Sequence, residues 1–348
     1  MTKLLRGLAW GGAALVLALA IVRPGAAFAV TDTELRQAEA ALQAAPADRA
    51  KRLEVAKLRY LKGSEFSMRG DASAAAAEFK NALSVLQDRQ SKIPAQSAVV
   101  EEVRYGLGYA YMAMGQPQNA VVVLDQLAQG APRFTRARYL LGVALLHTGS
   151  EPDTNRGIEV LVQLAKEAPG PDGTAATHAA SRYAYDIAIG MAAAGKAAAA
   201  AAVLQNVRDR LGPASGANAA ENQAFLFALA TFQVLAGNAP AGVADYETLK
   251  SQNAGFHLAN GVTIRQVLSN TGYQLGLQEL GKGGEAALKQ AVGFFDLADA
   301  NGTGKEVDAH HGKAIAYKGM NQDRDFIKEL AAILQTDPDY YKKINTGT

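Results

Sequence analysis

Residues 103–132 read VRYGLGYAYMAMGQPQNAVVVLDQLAQGAP. The spacing of Leu107-Gly108, Tyr111, Gly115, Ala120, Leu124 and Pro132 predicts two antiparallel helices. Gly108 lets the second helix come close to the first, and Tyr111 fills the wedge above it. Gly115 takes the left-handed conformation that ends the first helix. Ala120 stands where only a small side chain fits, and Pro132 stops the second helix.

The pattern recurs. Gly63, Phe66, Gly70, Ala75, Phe79 and Ala82 repeat it upstream, within residues 56–89. Leu141-Gly142, Leu145, Gly149, Gly157, Leu161, Leu164 and Pro169 repeat it downstream, where SEPDTN reads as a turn lengthened by about three residues and Pro171-Asp172-Gly173 as a loop. Further units are predicted over residues 181–214 (Ala188, Met191, Gly195, Ala200, Leu204, Val207) and 223–256 (Leu229, Ala230, Gly237, Gly242, Tyr246, Leu249). Two more follow over residues 267–300 (Gly281, Ala286) and 307–340 (Ala314, Tyr317, Asn321, Phe326, Leu330, Ile333, Pro338). Asn321 stands in for the turn glycine because asparagine also tolerates the left-handed conformation.

These positions resemble the tetratricopeptide-repeat family over nearly the whole chain after its first residues. The resemblance implies an all-α, right-handed α-solenoid of about six or seven helix pairs. Trp is absent from every repeat, Lys62 stands where leucine is expected, and several units are separated by extra residues. Heavy alanine use agrees with the all-α reading, since alanine is the strongest helix former.

The first 29 residues read as an export signal. Lys3 and Arg6 make a basic start, Leu8 to Val22 is an apolar run, and Ala27-Phe28-Ala29 supplies small residues, with cleavage expected after Ala29. The expected organisation is a signal peptide over 1–29, a capping helix within 30–50, repeats over 51–342 and a tail over 343–348. The expected location is the periplasm; an uncleaved inner-membrane anchor facing the periplasm is the alternative. With no Cys, the chain has no lipidation site behind the signal and forms no disulfide. Lys3, Arg6 and Arg23 account for the chain's basic character. Without them the rest carries a formal charge of −1 against 33 acidic residues, which points away from nucleic acid.

No nucleophile elbow, Walker loop or dinucleotide fingerprint is present, and a catalytic Cys is ruled out. Gly281-Lys282-Gly283-Gly284 and Gly302-Thr303-Gly304 read as turns. His310 and His311 on one helix point about 100° apart rather than at one ion. The chain is expected to be no enzyme and to need no cofactor and no metal.

One column stands out. The fifth position of successive first helices holds Tyr60, Tyr105, Tyr139, Tyr185 and Phe227, followed by Thr271 and His311. In the family that this chain resembles, first helices line a concave groove. The resemblance therefore implies an aromatic ladder gripping an extended peptide or a helix of another envelope protein. Lys57, Arg136 and Arg182, three residues earlier, would clamp carboxylates, and Tyr109 and Met112 would add adaptable apolar surface. A periplasmic carrier for a small ligand or a polysaccharide, stacking on the same tyrosines, is the alternative use of the groove. A helical support for a cell-wall enzyme is a weaker alternative, because no segment remains for a catalytic domain.

Overall fold

A computed structural model describes residues 30–88, 93–94, 97–168, 170–212 and 219–342. The expected signal peptide and the 343–348 tail lie outside the described residues. Among those described there are fifteen helices, and the one β-type pairing is the isolated bridge between His257 and Thr263.

The order is α1 Asp32–Ala44, α2 Arg49–Met68, α3 Ala72–Gln87, α4 Ala98–Ala113, α5 Pro117–Gly130, α6 Thr135–His147, α7 Glu151–Glu167 and α8 Pro171–Ala193. It continues with α9 Ala197–Leu211, α10 Ala219–Leu235, α11 Ala239–Gln252, α12 Ile264–Lys282, α13 Glu285–Asn301, α14 Glu306–Gly319 and α15 Asp323–Thr336. Helix pairs α2/α3, α4/α5, α6/α7, α10/α11, α12/α13 and α14/α15 pack as hairpins of first and second helix, with α1 packed on α2. Two compact units are formed: residues 30–184 with 207–212, and residues 185–206 with 219–342.

The hairpin turns follow the sequence closely. Gly115 has φ 67° and Asn321 φ 57°, the left-handed conformation that lets each chain reverse within two or three residues. Side-chain caps start several helices. Thr31 and Glu34 make a reciprocal capping box on α1, Asp48 accepts from the amides of Ala50 and Lys51 on α2, and Thr263 with Gln266 repeats the box on α12.

Three local expectations are corrected. SEPDTN is not a lengthened turn: Ser150 caps α7, and Glu151, Pro152 and Asp153 make its first turn, because proline at the start of a helix loses no hydrogen bond. Pro171-Asp172-Gly173 likewise opens α8 rather than forming a loop. In the sixth unit Gly281 lies inside α12. The turn is made by Gly283 and Gly284, at φ 68° and 80°, so the packing register falls on Ala291, Phe295 and Ala298 instead of starting at Ala286.

Packing repeats a large side chain of a second helix against glycines of first helices. A Cβ on Gly108 would lie 2.6 Å from Leu124 Cγ, and one on Gly142 2.6 Å from Leu161 Cγ. Phe79 is enclosed from both sides: a Cβ on Gly63 of its own hairpin, or on Gly106 of the next, would come within 2.8 Å of its ring. The core of the first unit is built around Phe79, Leu86, Val103, Leu107, Leu124 and Leu145, all buried.

Candidate functional site

Within the first unit the column resolves into a half-buried aromatic and charged patch. Tyr60 on α2, Tyr105, Tyr109 and Met112 on α4, and Arg136 and Tyr139 on α6 are each partly exposed, as is Arg182 on α8. Each first helix packs beside the next first helix, α2 on α4 and α4 on α6, so equivalent positions come side by side.

The Tyr60 ring lies 5.7 Å from that of Phe79, which anchors it to the core. The Tyr105 ring lies 5.5 Å from Phe134, tilted by 47°. The Arg136 guanidinium carbon sits 5.1 Å from the Phe134 ring centre and 5.5 Å from that of Tyr105. Its Nη2 donates to Glu102 Oε1 at 3.2 Å. The two side chains of this pair keep 33% and 40% of their exposure, so the pair is worth at most about 1 kcal/mol and can exchange its partner. Tyr109 and Met112 lean on the cluster of Leu140, Leu141 and Leu145.

Burial raises the Tyr60 phenol, and the Glu102 charge raises it further. Burial pushes Tyr105 up to about 12, with Arg136 opposing. It raises Tyr139 as well, against the pull of Arg182. The patch therefore presents the phenols of Tyr60, Tyr105 and Tyr139 in their neutral form, the guanidinium groups of Arg136 and Arg182, and the Glu102 carboxylate. It can bury an apolar side chain against the rings while satisfying a carboxylate, an amide or a backbone group at Arg136.

These shifts carry a pH prediction. A phenol held protonated by the fold adds stability that is fully present below its ordinary value of 10.0 and is lost as pH rises towards 12. Ultraviolet titration of the folded protein is expected to divide its 12 tyrosines into an ordinary class and a late class containing Tyr105 and Tyr246. Tyr105→Phe should remove one tyrosine from the late class only. Ionisation of all tyrosines together in the folded protein would refute the burial described.

Two members of the column do not belong to an accessible surface. Tyr185 and Phe227 are 3% and 5% exposed. Phe227 is covered by the rings of Tyr246 at 5.5 Å and Phe256 at 5.7 Å, so it is core rather than groove. Lys57 is exposed, and Thr271 and His311 are half-buried. Sequence reasoning missed Glu102 and Phe134. Glu102 stands three residues before Tyr105, as Lys57, Arg136 and Arg182 stand before theirs, so the same spacing rule finds it. Phe134 directly precedes α6, outside the helical periodicity.

In the second unit, His310 and His311 do part company. His310 Nδ1 lies 2.5 Å from Glu329, whereas the His311 ring meets those of Tyr340 and Tyr341 at 5.6 and 5.9 Å. The Tyr340 hydroxyl donates to Asp308 at 3.1 Å. Among the described residues no group of three or more His, Asp or Glu side chains is placed to hold a metal ion, and no helix is long and apolar enough to cross a membrane.

No family model and no curated protein matches the sequence. Among solved structures, the chain is similar to the TPR-like repeats of a kinesin light chain from Podosopora anserina (17% identity, 60% of this chain and 96% of that one, TM-score 0.36). It is also similar to a tetratricopeptide repeat protein from Parabacteroides merdae (13% identity, 81% and 90%, TM-score 0.30). A third likeness is to the C-terminal part of a TPR repeat-containing protein from Cytophaga hutchinsonii (11% identity, 79% and 92%, TM-score 0.35). By its own turns, glycine contacts and helix order, the chain is an all-α array of tetratricopeptide-like helix pairs.

Proposed function

We propose that the chain is a non-catalytic adaptor of the bacterial cell envelope that holds a peptide or helix of another envelope protein on the first-unit patch. The observation that carries this reading is the juxtaposition of Tyr60, Tyr105 and Tyr139 on three neighbouring first helices, with the Arg136–Glu102 pair between them. Aromatic and arginine side chains that are partly desolvated yet still reachable are the usual anchors of protein recognition. The basic start, apolar run and small residues of the first 29 positions support export to the periplasm.

Crosslinking in intact cells, followed by mass spectrometry of captured proteins, tests the reading. Wild type is expected to capture a defined envelope protein, and Tyr105→Ala/Tyr139→Ala, checked for unchanged helical content, to lose it at least tenfold. Arg136→Gln, a milder change, should lower capture severalfold. Equal capture by all three would refute the patch. Capture of no protein, with thermal stabilisation by an oligosaccharide, would refute the adaptor and favour the carrier of a small ligand or polysaccharide.

A further inference from the structure

We propose, resting on the adaptor reading above, that the first-unit patch holds its partner by an aromatic side chain seated on the ring of Tyr139.

In three helix pairs the column residue carries a ring that the chain itself supplies from 29 positions further on. Phe134 lies 5.5 Å from Tyr105, Phe256 5.7 Å from Phe227 and Tyr340 5.6 Å from His311, at interplanar angles of 47°, 33° and 79°. Each ring is delivered in the same way. The second helix ends and a single turn swings the chain back, the N–H groups of Phe134, Phe256 and Tyr340 donating to the carbonyls of Ala131, Asn253 and Asp337 at 2.9, 3.0 and 3.1 Å. Those carbonyls belong to the residues that cap α5, α11 and α15.

The same count from Tyr139 reaches Ala168. Here the helix does not stop in step. α7 runs three residues further from its turn glycine, Gly149, than α5 runs from Gly115. Ala168 is therefore still the cap, its N–H donating to the Leu164 carbonyl, and it brings no ring. Pro171 then opens α8 at once. Tyr139 is half-buried, and among the described residues no aromatic ring meets its own.

Tyr139 thus has the ring of its equivalents and lacks their partner. A tilted aromatic pair gains from edge-to-face attraction as well as from burial. The occupants of the three filled seats are two phenylalanines and a tyrosine, so a Phe or Tyr of the bound segment is the side chain that fits the fourth.

The full chain is titrated with N-acetyl-tyrosinamide, N-acetyl-leucinamide and maltotriose, with saturation-transfer NMR as the readout and circular dichroism checking each variant. The tyrosine amide alone is expected to receive saturation, through its ring protons. Tyr139→Ala should reduce that transfer severalfold. So should Ala168→Phe, which supplies from within the ring that the other pairs have. Phe134→Ala adds no bulk and should raise the transfer about twofold by opening the equivalent seat on Tyr105, since an emptied apolar site takes up an apolar ligand. No transfer to the tyrosine amide, transfer to maltotriose in its place, or transfer unchanged by both Tyr139→Ala and Ala168→Phe would overturn the proposal. In the crosslinking experiment Ala168→Phe should lower capture of the envelope protein severalfold. Full capture by Ala168→Phe with its tyrosine-amide site closed would overturn the aromatic anchor and leave the adaptor reading standing. Tyrosine-amide binding that depends on Tyr139, in a protein that captures no partner, would support the seat while the adaptor reading fails.

Discussion

Phe295→Ala is expected to cost about 3–5 kcal/mol, at the upper end for a large-to-small core change. The side chain is fully buried among Ala291, Ala298 and Ala309, with the Tyr273 ring 6.0 Å away. Two glycines complete the enclosure: a Cβ on Gly276 would lie 2.6 Å from the ring, and one on Gly312 2.3 Å. Neighbours so small have no side chains with which to fill the space, so the cavity persists. Gly312→Ala should cost about 1–3 kcal/mol for the opposite reason, overpacking against the same ring. Repeat arrays need not unfold in one step, so hydrogen exchange is the suitable measurement. Phe295→Ala should lose protection chiefly in α12, α13 and α14, while Val122→Ala, 60% exposed on α5, should change little. A loss below about 1 kcal/mol for Phe295→Ala would contradict the packing described.

Lys313→Met carries the second large effect. The lysine side chain is 5% exposed, and its Nζ lies 3.1 Å from Asp296, 3.0 Å from Asp299 and 3.5 Å from Glu329. Burial pulls the ammonium down, but Asp299, Asp296 and Glu329 outweigh it and hold its pKa above the ordinary 10.5. Its contribution to stability is accordingly present at neutral pH and lost only as pH rises through that raised value. Removing the charge leaves Glu329, 9% exposed, facing Asp299 with His310 as their remaining partner. Breaking one side of a buried ion pair costs about 3–5 kcal/mol. Because Asp296 and Asp299 keep 60% and 30% of their exposure, water screens part of this, and about 2–4 kcal/mol is expected. Lys313→Met/Glu329→Met should be less damaging than Lys313→Met alone, because it removes the orphaned carboxylate. Urea titration of the three proteins at neutral pH checks the order; a double variant worse than the single would contradict it.

Much of the fold was legible because each hairpin needs the same few residues. A residue that tolerates positive φ at the turn and a small residue under a large one leave a spaced mark, as Gly115 over Gly108 and Leu124 does. Boundaries were less legible where polar residues start helices: Ser150 and Pro171 look like loop residues and act as helix starts.

The candidate site was half legible. The fifth position of a first helix lies at the margin between solvent and the neighbouring repeat, and its fate depends on what arrives from elsewhere. Tyr105 keeps an accessible face, whereas Phe227 is closed over by Tyr246, at a core position of α11, and by Phe256, from the segment before α12. Lys313 was hidden for a similar reason. It takes the place that Leu107 has in α4, and its carboxylate partners on α13 lie 17 and 14 residues away in sequence.

The most direct test of the adaptor reading places a photocrosslinking amino acid at position 139 in one cell culture and at position 122 in another. Both residues lie in the first unit, Tyr139 on the first helix α6 and Val122 on the outer side of the second helix α5. A discrete crosslinked envelope protein at 139 and none at 122 is the predicted result. The same adducts at both positions, or an adduct at 122 alone, would contradict the claim that the tyrosine patch is the working surface.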